Sequence, residues 1–191
     1  MASDTAYSTA TPVDDVEPGS AFGRAMMAIL RIVAGFYFFW AFLDKLFGLG
    51  YSTASDRAWI NGGSPTGGFL GSRHVGPFAS MYRSMAGNSF LDWLFMLGLL
   101  GIGVALIVGA GMRIAAVGGV IMLLMMWTAT WPMARFNDAG DPTGSTNPIV
   151  DDHIILALVL IVLAAYHAGN TFGLGRWWTS LAFVQKNRWL I

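Results

Sequence analysis

The sequence predicts an all-α integral membrane protein, an up-down bundle of four transmembrane helices. Three observations predict it. Hydrophobic residues make up 55% of the 191 and charged residues only 12%, about half the charged share of an average soluble domain. Apolar segments of near-bilayer length recur four times, and roughly 20 such residues cross a hydrocarbon core. The two middle segments are joined by Gly111-Met112-Arg113, a link so short that it forces an antiparallel hairpin.

Residues 1–21 form a polar, acidic, Pro-containing tail, MASDTAYSTATPVDDVEPG and onward. It has neither the basic start nor the short apolar core of a cleaved leader. A disordered tail is expected, with the first helix acting as the uncleaved insertion signal. The four-helix domain follows over 22–169, with helices expected at about 25–48, 90–110, 114–131 and 150–168.

The first helix, AMMAILRIVAGFYFFWAFLDKLFG, carries Arg31 inside it and Asp44-Lys45 near its end. Ionisable groups at membrane depth are expensive, and face a bundle interior or a wet cavity. A long Gly-rich loop, Leu49–Ser89, leads to the second helix. In the second and third helices Gly101, Ala105 and Gly109, and Ala115 with Gly119, recur at fourfold spacing. Small residues at that spacing let transmembrane backbones approach, so these two helices are expected to touch closely. The loop Pro132–Val150 contains three Pro and two turn-forming Gly and cannot be helical throughout. The segment 170–191 places Trp177, Trp178 and Trp189 beside Arg176, Lys186 and Arg188, the pattern of an amphipathic segment lying in the membrane interface.

Composition removes several function classes. The formal net charge is zero, which gives no electrostatic footprint for nucleic acid. With no Cys in the chain, disulfides, Cys-ligated iron–sulfur clusters and c-type haem attachment are excluded. Bis-His haem is not supported, because His153 and His167 lie at opposite ends of one helix. Consecutive Asp151-Asp152-His153 point three ways on a helix, so no metal site is expected. No phosphate-cradling, nucleophile-elbow or dinucleotide motif is present.

Up-down topology converts sequence positions into depths. Asp44, Lys45, Asp92, Arg135, Asp151, Asp152 and His153 share the end opposite the termini, with Trp40, Trp93, Trp127 and Trp131 around them. A polar mouth with aromatic walls resembles small-molecule pockets in composition. Bland alternatives stand beside this. Asp151-Asp152 suits a helix N-cap, the Trp residues suit a membrane belt, and Met122 and Met126 suit core filling. Arg31 lies 14 residues before Lys45, about 21 Å along a helix. It either snorkels to the interface or approaches His167, with which it could share a ligand. Lys and Arg divide five against five between the two sides, but those on the terminal side crowd the helix ends. The termini are therefore expected in the cytoplasm.

The run Arg31…Gly35…Phe38-Phe39…Asp44-Lys45 resembles the first helix of the DoxX/DoxD family of small bacterial membrane proteins. WINGGSPTGGFL (Trp59–Leu70), DWLFMLGLLGIGVALIVGAGMRIAA (Asp92–Ala116) and NPIVDDHIILALVLI (Asn147–Ile161) are similar to its longer members, which are described as thiosulfate:quinone oxidoreductase membrane subunits. The resemblance covers about Arg24 to Trp178. It implies a multi-pass protein of the bacterial cell membrane that passes electrons from a reduced sulfur species to a membrane quinone, beside a second polypeptide. The quinone would then sit between Trp40, Trp93, Trp127 and Met126. Lys45 or His153 would hydrogen-bond its carbonyls, Asp44 or Asp152 would handle protons, and Arg31 and His167 would serve the other half of the bundle. The absence of Cys departs from a self-contained redox centre. A non-catalytic accessory subunit of a respiratory or other membrane oxidoreductase complex is the competing expectation.

Overall fold

The structure is a computed structural model and describes residues 19–191. Most of the expected tail therefore lies outside the described residues. Helix α1 spans Ala21–Phe47, starting four residues before expectation. Ser20 explains the early start, since its hydroxyl accepts the Gly23 N–H as an N-cap. Short helices α2 (Gly67–Gly71) and α3 (Ala79–Met85) follow within the long loop. Then come α4 (Ser89–Val108), α5 (Met112–Thr130) and α6 (Asp152–Ala165). Two short helices close the chain, α7 (Gly175–Ser180) and α8 (Ala182–Lys186). No strand occurs among the described residues, only an isolated bridge between Phe136 and Pro142.

Three helices, α1, α4 and α5, are long and apolar enough to cross a membrane. Helix α6 has 14 residues, about 21 Å, against the 150–168 expected. Its limits have local causes. Asp151 is extended and its carboxylate accepts the His153 and Ile154 N–H groups, which starts the helix there. At the far end His167 takes a left-handed conformation (φ 48) and stops it.

All four long helices contribute to one core, including Phe38, Met96, Leu106, Leu123, Leu160 and Leu163. Their outward faces are apolar as well: Val33 and Phe36, Leu94 and Leu97, Val117 and Ile121, Ile155 and Leu158 are exposed. A helix apolar all round belongs in lipid or in a larger core, and the bilayer supplies the missing solvent here.

The close helix contacts differ from those expected. Helix α1 packs mainly on α4, and α5 mainly on α6. The α1–α4 approach is made by Gly35 and Gly103. A Cβ on Gly35 would stand 2.8 Å from Ile107 N, and one on Gly103 would stand 2.8 Å from Phe39 N. Gly101 instead faces open space. Spacing finds small-residue rows but not which row faces a neighbour. The α4–α5 turn also lies earlier than Gly111–Arg113, because Gly109 (φ 78) and Gly111 (φ 66) are both left-handed.

Candidate functional site

Call the two ends of the bundle the terminal end and the loop end. At the terminal end lies Arg31, fully buried, so it does not snorkel. Its guanidinium donates to the carbonyls of Leu106 (3.0 Å) and Ile107 (3.4 Å) in the last turn of α4. It also donates to Thr171 (3.4 Å) and Phe172 (2.9 Å) in the chain after α6. The last four carbonyls of a helix lack intrahelical partners and carry its negative dipole end. Arg31 thus supplies a positive cap and ties three segments together without a carboxylate. Its Nε has no hydrogen-bond partner. Gly109 must be glycine in this arrangement, because a Cβ there would collide with Arg31 Nη1. His167 sits nearby in the chain after α6 and lines a small depression with Gly109, Arg113 and Trp178. That depression, about 20 Å³, has room for little more than one water.

At the loop end the expected single mouth is resolved into separate clusters. Asp44, 1% exposed, accepts the N–H groups of Tyr51 (3.2 Å) and Ser52 (3.0 Å) and the Ser52 hydroxyl (2.6 Å). Asp92, 6% exposed, accepts the Ser64 hydroxyl (3.0 Å) and both the N–H (2.9 Å) and hydroxyl (2.6 Å) of Thr66. Each carboxylate therefore fastens one part of the long loop to a helix end. Hydrogen bonds to a charged acceptor are stronger than neutral ones, which lets two residues hold a loop of this length. Ser52, Ser64 and Thr66 were not singled out by the sequence. Their signal was the hydroxyl-rich phrases Tyr51-Ser52-Thr53 and Ser64-Pro65-Thr66, each lying between acidic helix ends.

Aromatic contacts complete this cap. Trp40 meets Tyr51 edge-on at 5.2 Å, and Trp93 meets Trp59 at 4.6 Å. The Tyr82 hydroxyl and Thr128 hydroxyl are 2.6 Å apart, joining α3 to α5. Trp127 lies against Trp131 and donates its Nε1 to the Ile149 carbonyl at 2.8 Å. Met126 is half-buried beside it in the chain. Within the long loop, the Arg73 guanidinium stacks over Phe69 at 4.6 Å, and burial lowers its pKa from the ordinary arginine value.

The third cluster is Asp151, Asp152 and His153. His153 Nδ1 lies 2.9 Å from Asp151 Oδ2 and 3.4 Å from Asp152 Oδ1. Their donor atoms all fall within 4.8 Å, but Asp151 is already engaged as the cap of α6. No hydrogen bond or ion pair joins the three clusters among the described residues. Arg135 is exposed and lies over Phe136 at 5.8 Å. Lys45 is half-buried near the end of α1, and among the described residues it makes no hydrogen bond or ion pair. Arg31, Asp44 and Asp92 are thus occupied by hydrogen bonds within the chain, whereas Lys45 has only the charge of the neighbouring Asp44, and the His153 side chain is 13% exposed. Comparisons with protein-family models, with curated proteins and with solved structures each found no match.

Proposed function

We propose that this chain is a DoxX/DoxD-like subunit of a quinone-linked membrane oxidoreductase. In this reading α1, α4, α5 and α6 form a four-helix transmembrane bundle in the bacterial cell membrane, with the terminal end in the cytoplasm. The observation that carries it is Lys45, half-buried and without a hydrogen bond among the described residues, at the same end as the largely buried His153. An ammonium can donate to a quinone carbonyl, and imidazole exchanges protons near neutral pH. Reduction of the ring takes two electrons and two protons. The electrons come from a reduced sulfur donor such as thiosulfate through a second polypeptide, and His153 with Asp152 passes the protons. Trp40, Trp93 and Trp127 offer aromatic faces and Met126 an apolar side chain to the ring at that end, each from its own cluster.

Binding of a short-chain quinone to the purified full chain, read by tryptophan quenching, tests the reading. Thiosulfate-dependent quinone reduction is then measured with and without the product of the neighbouring gene. Saturable binding that Lys45→Gln weakens about tenfold, equal to ~1.4 kcal/mol, supports the proposal. No binding and no reduction in either setting removes it. The second reading, a non-catalytic accessory subunit, is favoured by the exposed aromatic residues Trp177, Phe183 and Trp189 of the C-terminal segment. Co-purification with an oxidoreductase that keeps its activity without this chain would select that reading.

A further inference from the structure

Among the described residues the acidic side chains are segregated to one end of the bundle. Every Asp among the described residues lies in the last turn of α1, at the start of α4 or α6, or in the loops of that end: Asp44, Asp56, Asp92, Asp138, Asp141, Asp151 and Asp152. Glu does not occur among the described residues, and the acidic Asp4, Asp14, Asp15 and Glu17 lie outside them. The terminal end carries exposed Arg113, Lys186 and Arg188.

The C-terminal segment is folded against this end rather than trailing from it. Val184 is 0% and Leu190 6% exposed. The Trp178 Nε1 donates to the Leu190 carbonyl at 3.2 Å, and Arg113 Nη1 donates to the Trp189 carbonyl at 3.4 Å. Anchored this way, the segment holds Trp177 (54% exposed) and Trp189 (63% exposed) outward beside the three cations. Amphipathic aromatic rings are stable at headgroup level, and basic side chains near that level are drawn to anionic lipid.

We infer that this ledge of Arg113, Lys186, Arg188, Trp177 and Trp189 binds the anionic phospholipid headgroups of the leaflet around the terminal end. Charge complementarity selects this occupant, since the ledge offers three exposed cations and no Asp or Glu side chain among the described residues. The inference stands apart from the quinone reading, because it concerns the opposite end of the bundle.

The test uses the full chain in phosphatidylcholine vesicles doped with spin-labelled phosphatidylglycerol or spin-labelled phosphatidylcholine. The immobilised lipid fraction is read by electron paramagnetic resonance. The expected result is a preference of roughly fivefold for phosphatidylglycerol, collapsing toward parity in high salt because charge attraction is screened. Arg113→Gln/Lys186→Gln/Arg188→Gln should reach parity at low salt, whereas Arg57→Gln/Arg83→Gln/Arg135→Gln at the loop end should keep the preference. A wild-type chain without preference, or a preference indifferent to salt, overturns the inference. So does loss of preference in the loop-end variant alone. A Lys186→Cys thiol shielded by a co-purifying protein, with no lipid preference, overturns it in favour of a protein partner.

Discussion

Arg31 shows how a single buried charge can be stable without an opposite charge. Its hydrogen bonds run to four backbone carbonyls, two of them at the negative end of α4. Removing it leaves those carbonyls without their donor, and each buried unsatisfied group costs about 1–3 kcal/mol. Arg31→Ala is therefore expected to lower the thermal midpoint of the detergent-solubilised chain sharply, by a loss of at least about 3 kcal/mol. Gly109→Ala should do the same with Arg31 intact, because its methyl would occupy the guanidinium's place. A wild-type midpoint in both variants would dismiss the staple. Asp44 and Asp92 act comparably at the other end. Asp92→Asn should release the Ser64–Thr66 region, seen as faster proteolysis of the loop, at about 1.5–3 kcal/mol for a weakened charged hydrogen-bond set.

At the scale of elements, the pairing of helices rests on which glycines face a neighbour. Gly103→Leu would drive a side chain into the backbone of Phe39 on α1, and Gly35→Leu into Ile107 on α4. The Cβ of Gly101→Leu would meet nothing within 4 Å, and the position is exposed. The first two variants should lose stability by more than about 3 kcal/mol through overpacking, while the third stays within about 0.5 kcal/mol. Equal midpoints for Gly101→Leu and Gly103→Leu would contradict the α1–α4 packing. The same comparison shows why the glycine rows in the sequence misled. Gly101, Ala105 and Gly109 form a regular row, but Gly101 faces outward, and the working pair, Gly35 with Gly103, lies on two helices far apart in sequence.

For the whole molecule, the first described helix and the chain after α6 meet at one end of the bundle. Arg31 near the start and Thr171–Phe172 near the end share hydrogen bonds, and both loops that carry carboxylates lie at the other end. The chain has no Cys, so each introduced thiol is the sole target of a membrane-impermeant maleimide. Ser180→Cys should react from one face of the membrane, and Asn61→Cys and Ser145→Cys from the opposite face. Labelling of Ser180→Cys and Asn61→Cys from the same face would overturn the up-down arrangement.

The sequence by itself determined the helical class, the apolar spans and the charged positions that interrupt them. These are local properties: composition sets the solvent a segment prefers, and capping residues such as Asn88 and Asp151 start helices where they stand. It also separated Arg31, at one end, from Asp44 and Lys45 at the other, since helical rise converts residue number into depth. Only the tertiary structure decided what each charge touches. The partners of Asp44 and Asp92 are loop hydroxyls and N–H groups, and those of Arg31 are carbonyls 75 to 141 positions away. Such contacts depend on how an irregular loop folds back, which no periodicity encodes. The opening helix thus carries two structural fasteners, Arg31 and Asp44, and one charge, Lys45, that makes no hydrogen bond among the described residues and has only the charge of Asp44 beside it, because folding satisfied the first two with backbone and hydroxyl groups.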